Sequence, residues 1–135
     1  PLPAQTAVDW SGTVARVDAA VVEITTVERL PAVASDGSVT AATSDGLGSG
    51  ALISKDGLVL TAAHVVATAD LVRVHFRGAD PIRARVVAAS PTDDLALLRL
   101  ESPPPRGVAP LSLGDSAALR AGEAVLVIGA PLGIG

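Results

Sequence analysis

Short apolar runs separated by turn residues recur along this chain, and they predict a protein built mainly of β-strands. Residues 21–27 are β-branched almost without a break, which favours an extended strand. Two further apolar runs, at 51–53 and 58–60, flank a turn segment that ends at Gly57, where glycine can adopt a positive φ. This arrangement predicts a β-hairpin, and it places His64 just beyond the hairpin's second strand.

The second half of the chain continues the pattern of short strands. Residues 71–76 alternate between apolar and polar side chains, which predicts a strand whose core face carries Val72, Val74 and Phe76. The sequence also predicts strands at 83–89 and 95–100, a helical turn capped by Asp115 or Ser116, and a final buried strand at 124–128. Short strands at such turn-punctuated intervals are typical of a small antiparallel β-barrel, so the predicted fold class is all-β.

Two regions depart from the strand pattern. Residues 7–20 place Trp10, Val14 and Val17 at helical spacing, which predicts a short N-terminal helix, although an internal glycine weakens it. Residues 28–45 combine proline, glycine and small polar residues without periodicity. Because structureless segments of this length are uncommon in compact domains, we expect a loop that is prone to disorder.

Composition and charge narrow the classes of function. The 135 residues suit a single domain, and aliphatic side chains carry most of the 49% apolar fraction. The net charge of −4 and the scattered arginines provide no basic stripe, so nucleic acid is not an expected partner. No apolar run approaches the ~20 residues that span a bilayer, so no membrane span is expected. Without cysteine, the chain has no disulfide, thiolate nucleophile or Cys-based zinc site.

His64 is the first candidate for chemistry, and it needs an acidic partner to serve as a general base. Such a base requires an acceptor on its second ring nitrogen, which fixes the tautomer and stabilises the imidazolium. Two adjacent carboxylates, Asp93 and Asp94, follow downstream, and the residues alone leave both open as that acceptor. The alternative for His64 is a histidine that caps a turn. His75 alternates with Arg73 on the polar face of its strand, so it is expected at the surface.

Two segments carry motifs around the candidate residues. The first is Gly-Ser-Gly at 48–50 before a hairpin, followed by Leu-Thr-Ala-Ala-His-Val-Val at 60–66. The second is Thr-Asp-Asp-Leu-Ala-Leu-Leu-Arg-Leu at 92–100. Together they resemble the catalytic-histidine segment and the catalytic-aspartate strand of the HtrA, or DegP-like, branch of the trypsin-like serine proteases. The resemblance implies that His64 is the catalytic base and that Asp94, which directly precedes Leu-Ala, orients it.

The family pattern also bears on the neighbouring residues. By this resemblance, Asp93 is a solvated neighbour or a turn cap, and Ser49 between its two glycines is structural rather than nucleophilic. Some members of the HtrA branch use the loop that corresponds to 28–45 for regulation or assembly, which leaves a homo-oligomer open.

The resemblance spans the whole chain but only half of the family's protease domain. Residues 129–133 resemble the Gly-x-Pro-x-Gly segment that leads from the first barrel towards the second, and no Gly-x-Ser-Gly-Gly segment is present. Residues 1–135 are therefore expected to form the first, six-stranded antiparallel β-barrel of the chymotrypsin-like double-barrel fold, with a short N-terminal helix. The second barrel, with a nucleophile that is either Ser or Cys, is expected in sequence outside this chain.

The implied activity is peptide-bond hydrolysis by a serine endopeptidase. This chain alone is expected to be inactive, because it lacks the nucleophile. The implied partners are a protein or peptide substrate and the missing C-terminal barrel, and the implied location is extracytoplasmic. The histidines and aspartates match no metal-ligand spacing, so no metal and no organic cofactor is expected. The alternative function is a non-catalytic β-barrel module that binds a peptide or protein partner.

Overall fold

A computed structural model describes residues 7–130, and six strands in this range form one closed antiparallel barrel. In chain order the elements are α1 (Ser11–Val17), β1 (Val21–Val33), β2 (Val39–Leu52), β3 (Leu58–Thr61), α2 (Ala63–Val66), β4 (Leu71–His75), β5 (Ile82–Ser90) and β6 (Leu95–Leu100). Around the barrel the strands follow the order β1-β2-β3-β6-β5-β4. The prediction of an all-β, six-stranded antiparallel barrel with a short N-terminal helix is confirmed.

Aliphatic side chains fill the interior of the barrel. Successive strand residues point to opposite faces, so every second side chain points inward. The largest fully buried side chains are those of Ile24, Leu52, Leu98, Val22, Val59 and Val74. Phe76 is 3% exposed directly after β4, and Val72 and Val74 are also buried. The predicted core face of residues 71–76 is therefore confirmed.

The predicted hairpin forms from the end of β2 and the whole of β3. Gly57 has a φ of +91°, the left-handed conformation that the turn requires. The Ile53 N–H donates to the Leu58 carbonyl across 2.8 Å, and the Leu58 N–H donates to Ser54 Oγ across 2.9 Å. Because α2 begins just two residues after β3, His64 lies beyond the second strand, as the sequence predicted.

Residues 28–45 form a two-stranded arm, so the prediction of a disorder-prone loop is wrong. Strands β1 and β2 stay paired along the arm to its last pair, Val33 opposite Val39. Pro31 is compatible with this arm because β1 pairs with β4 only over residues 23–27, which leaves one edge of the arm's first strand without a neighbour. Most arm side chains are exposed on both faces, so their sequence carries no apolar periodicity.

The predicted helix at 7–20 is shorter than expected. The helix α1 covers only Ser11–Val17, and a 3-10 turn at Asp18–Ala20 then leads into β1. None of the α1 side chains is buried, so packing does not extend the helix beyond these two turns. Within residues 7–130, no helix has the length and apolarity that crossing a bilayer requires.

The last described segment corrects a second prediction. Residues 124–128 form no strand, although their apolar composition predicted a buried one. Val125 is 69% exposed and Val127 is 90% exposed, and the barrel is already closed by its six strands. The predicted helical turn before this segment is present at Ser116–Ala118, and Asp115 caps it by accepting the Ala117 N–H across 3.0 Å.

Replacing Leu98 by alanine should destabilise the barrel by about 2–5 kcal/mol, because the substitution removes a fully buried side chain and leaves a cavity. Leu113→Ala is the matched control, since Leu113 is 73% exposed and its loss should change the free energy of unfolding by no more than about 0.5 kcal/mol. Urea denaturation measures both. Equal effects of the two substitutions would contradict the core assigned here.

Candidate active site

The helix α2 presents His64 at the surface of the barrel. Ala62 is extended, with φ −79° and ψ 141°, so the chain leaves β3 and turns directly into the helix. Ala63 and Val66 are buried and anchor this single helical turn to the barrel. The His64 side chain points away from these anchors and is 74% exposed.

Asp94 binds His64 through both of its carboxylate oxygens. Its Oδ1 accepts the backbone N–H of His64 across 2.9 Å, and its Oδ2 lies 2.7 Å from His64 Nδ1. An ionised carboxylate can only accept, so the ring must carry its proton on Nδ1. The structure thus brings together the two residues that the sequence proposed as a pair.

The environment of Asp94 keeps its carboxylate ionised. The backbone N–H of His64 is the largest cause that lowers the pKa of Asp94 below 3.8, and the hydrogen bond from the His64 ring is the second. With Nδ1 donating to this carboxylate, the lone pair of Nε2 is left free to accept a proton. This is the arrangement that a general base requires.

The other two candidates from the sequence lie elsewhere. Asp93 Oδ2 accepts the Ser90 hydroxyl across 2.6 Å, so Asp93 is tied to its own turn. His75 is half-buried, and its Nε2 lies 2.7 Å from Thr25 Oγ1 on the outer face of the β1–β4 pair. His75 thus lies on the outer face of the barrel, as the sequence predicted, and the neighbouring strand also supplies a hydrogen-bond partner that the sequence did not indicate.

The glycines at 48 and 50 allow neighbouring elements to pack closely on β2: α2 at Gly48, and β1 and β3 at Gly50. A Cβ added to Gly48 would lie 2.6 Å from Val65 Cγ1, and a Cβ on Gly50 would lie 2.8 Å from Ile24 Cδ1. Ser49 lies between them, and its Oγ accepts the Ala130 N–H across 3.0 Å. A side chain at position 48 would therefore force a shift of Val65, which lies on the helix that carries His64.

An apolar cleft of about 560 Å³ begins beside Asp94. Side chains from α1, the β2–β3 hairpin, the start of β6, the connector after β6 and the last described segment line it, including Val17, Leu60, Leu95, Leu111 and Ile128. Sequence analysis did not indicate this cleft, because its walls come from segments far apart in the chain. Within the described residues, no group of three or more His, Asp or Glu side chains is arranged to hold a metal ion.

Comparison with known proteins identifies the family. The model of the trypsin-like peptidase domain matches residues 48–135, which is more than half of the chain. The chain belongs to the trypsin-like peptidase family. Over 87 residues it is 45% identical to a probable periplasmic serine endoprotease DegP-like of Ectopseudomonas mendocina and 41% identical to the mitochondrial serine protease HTRA2 of Bos taurus. Each alignment covers 64% of this chain, but only 18% and 19% of the two relatives.

Solved structures agree with this assignment to an HtrA-like trypsin fold. A variant of the HtrA-type protease AlgW with a decapeptide superposes with a TM-score of 0.69 at 25% identity, covering 85% of this chain and 38% of that one. AlgW with a tripeptide gives a TM-score of 0.65 at 26% identity, covering 84% and 32%. The resemblance to the HtrA branch is confirmed, and the chain spans less than a fifth of the length of the two curated relatives named above.

Gly48→Ala should displace Val65 and with it the helix that carries His64. Overpacking at such a contact costs roughly 1–3 kcal/mol in the free energy of unfolding. Gly114→Ala is the control, because a Cβ there meets nothing within 4 Å, and it should change stability by less than about 0.5 kcal/mol. Denaturation curves and the amide shift of His64 in a ¹H–¹⁵N spectrum test both effects. If the two variants behaved alike, the close packing of α2 on β2 would be refuted.

The stabilising effect of the Asp94 carboxylate should disappear at low pH. Because folding lowers the pKa of Asp94, its stabilising contribution is complete above the unfolded value near 3.8 and is lost as pH falls through the lower folded value. The stability difference between the wild type and Asp94→Asn should therefore be present above the unfolded value near 3.8 and shrink as the pH falls below it.

Urea denaturation across this range measures that difference. Asp93→Asn serves as the control, because the carboxylate of Asp93 binds Ser90 and not His64. A wild-type advantage over Asp94→Asn that grew towards low pH would have the wrong sign for this contact.

Proposed function

We propose that this chain is the first barrel of an HtrA-like serine endopeptidase, in which His64 is the general base and Asp94 orients it. The observation that carries the proposal is the double contact of Asp94 with His64, at 2.9 Å to the backbone nitrogen and 2.7 Å to Nδ1. A turn-capping histidine would not need a carboxylate on its ring as well as on its backbone. The family match supports the same assignment.

The chemistry follows from the free Nε2 of His64. This nitrogen takes the proton from the hydroxyl of a nucleophilic serine as the hydroxyl oxygen attacks the scissile carbonyl carbon, and it then donates that proton to the leaving amine. Asp94 stays ionised and stabilises the imidazolium that exists between the two transfers. No metal or organic cofactor takes part in these steps.

The nucleophile and the oxyanion donors are proposed to lie in a second barrel outside residues 1–135. Two serines close to the site already make structural hydrogen bonds: Ser49 Oγ accepts the Ala130 N–H, and the Ser90 hydroxyl donates to Asp93. The His64 and Asp94 side chains are 74% and 48% exposed, which suits a pair that further chain would cover. A cysteine nucleophile would use the same base.

The relatives suggest the substrate and the location. The AlgW structures hold a decapeptide and a tripeptide, which supports a protein or peptide substrate for this chain's parent. The DegP-like relatives are named periplasmic, which supports an extracytoplasmic location. Assembly into a homo-oligomer stays a prediction.

The experiment that tests this function compares the 135-residue chain with a longer protein that includes the sequence following residue 135. The short chain should cleave no peptide, because a base and its orienting carboxylate are only part of the catalytic unit. The longer protein should cleave casein and react with a fluorophosphonate probe. His64→Ala should reduce turnover by a factor of roughly 10⁶ and weaken labelling, and Asp94→Asn should lower turnover by about 10⁴.

His75→Ala is the matched control, since His75 binds Thr25 on the outer face of the barrel and should not affect the chemistry. A longer protein that lacked hydrolytic activity, or that was labelled equally with and without His64, would support the non-catalytic binding module instead. Cleavage by the purified short chain that disappeared in His64→Ala would refute the proposal that the nucleophile lies outside it.

A further inference from the structure

The turn that carries Asp94 holds this residue in an unfavourable backbone conformation. Asp94 has a φ of +54°, and it is the one non-glycine residue with a positive φ in the part of the chain that the structure describes. L-residues reach this left-handed region at a cost, although aspartate tolerates it better than most. The surrounding turn must therefore supply contacts that keep Asp94 there.

Four residues, 91–94, connect β5 to β6 as a tight hairpin loop. Ser90 ends β5 and pairs with Leu95, the first residue of β6. Inside the loop, the Asp94 N–H donates to the Pro91 carbonyl across 3.3 Å, a long and therefore weak hydrogen bond. This backbone contact is a poor restraint on the direction of the Asp94 side chain.

A second contact across the same loop is much shorter. The Ser90 hydroxyl donates to Asp93 Oδ2 at 2.6 Å, which joins the end of β5 to the residue directly before Asp94. A hydrogen bond of this length restricts its two side chains more tightly than the 3.3 Å backbone contact restricts the loop. Because the loop has only four residues and both of its ends are held in strands, a contact that fixes Asp93 reduces the conformations open to the loop, including those of Asp94.

We propose that Ser90 and Asp93 are positioning residues, which hold Asp94 in its left-handed conformation so that its carboxylate reaches the backbone and the ring of His64 together. This inference rests on the proposed function and extends it to two residues outside the His64–Asp94 pair. Without the hydrogen bond between Ser90 and Asp93, the loop relaxes, and Asp94 binds either the backbone or the ring of His64 but not both together. Asp93 is then more than a solvated neighbour of the orienting aspartate.

The tautomer of His64 reports this positioning directly. In the folded chain Asp94 selects the Nδ1–H form of the ring. Long-range ¹H–¹⁵N spectra of the 135-residue chain at about pH 8.5, where imidazoles are neutral, measure the ratio of the two tautomers. Ser90→Ala and Asp93→Ala should each lower the ratio of Nδ1–H to Nε2–H by at least about threefold. The double variant should lower it no further, because both substitutions remove the same hydrogen bond.

Two conservative variants separate the hydrogen bond from charge and from folding. Asp93→Asn removes the charge but keeps an oxygen that accepts from Ser90, and Ser90→Thr keeps the hydroxyl, so both should retain the wild-type ratio. If Ser90→Ala does not fold, the comparison of Asp93→Ala with Asp93→Asn decides the same point. An effect of Asp93→Asn as large as that of Asp93→Ala would overturn the proposal.

The arm supplies a matched control of the same chemistry. Ser38 Oγ donates to Asp36 Oδ1, also at 2.6 Å, in the turn at the arm's tip. Ser38→Ala should affect neither the His64 tautomer nor turnover. In the longer protein, Ser90→Ala should lower kcat about three- to tenfold with little change in KM, because the substitution disturbs the base and not substrate binding.

The possible failures are distinguishable. If His64→Ala and Asp94→Asn leave the longer protein active, the proposed function itself fails. If those two abolish activity while Ser90→Ala behaves like Ser38→Ala in both measurements, only the positioning role of Ser90 and Asp93 is refuted.

Discussion

The antiparallel pairing of β3 with β6 is the contact on which the candidate site depends. Thr61, at the end of β3, lies opposite Ala96, near the start of β6. His64 follows the first strand by three residues and Asp94 precedes the second closely, so the two side chains emerge at the same end of the barrel. Two segments 30 residues apart in the chain are thus brought within hydrogen-bonding distance by the order of the strands.

Close packing then converts this proximity into a defined geometry. The helix α2 is a single turn, too short to be stable by itself, so its position comes from the surfaces it contacts. Val65 packs against the bare backbone of Gly48, while Ala63 and Val66 enter the core. This explains in physical terms why a Gly-Ser-Gly segment precedes the histidine. The glycines leave space for the side chains that pack on β2, and the serine accepts a hydrogen bond from Ala130 in the last described segment.

The sequence predicted those parts of the structure in which burial alternates along a strand. Strand β6 and the core face of β4 follow the period-two pattern, because one side of each faces the core. The arm escaped prediction because strand pairing, and not burial, holds it together. For segment 124–128 the sequence predicted a buried strand that is not present. An apolar composition indicates burial only where another surface covers it, and no described residue covers Val127.

The choice between Asp93 and Asp94 shows a similar limit of pattern reasoning. Both are aspartates in one turn, and what separates them is the φ of +54° at Asp94, which directs its carboxylate towards His64, while Asp93 faces Ser90. A backbone conformation of this kind leaves no trace in apolar periodicity. Only the resemblance to a family, through Leu-Ala after the second aspartate, carried that information.

The exposure of the pair indicates what this barrel contributes and what it leaves to the rest of the proposed protease. Hydrogen bonds between exposed charged groups contribute little to stability in water, so the 2.7 Å contact of His64 with Asp94 chiefly fixes geometry and tautomer. The apolar cleft beside Asp94 is open, and residues such as Leu95 and Ile128 line it. A second barrel seated over this cleft would exclude water, and the same contact would then become stronger in the lower local dielectric. In the proposed protease, the first barrel would therefore fix the orientation of the base, and the second barrel would strengthen its electrostatic contact with Asp94.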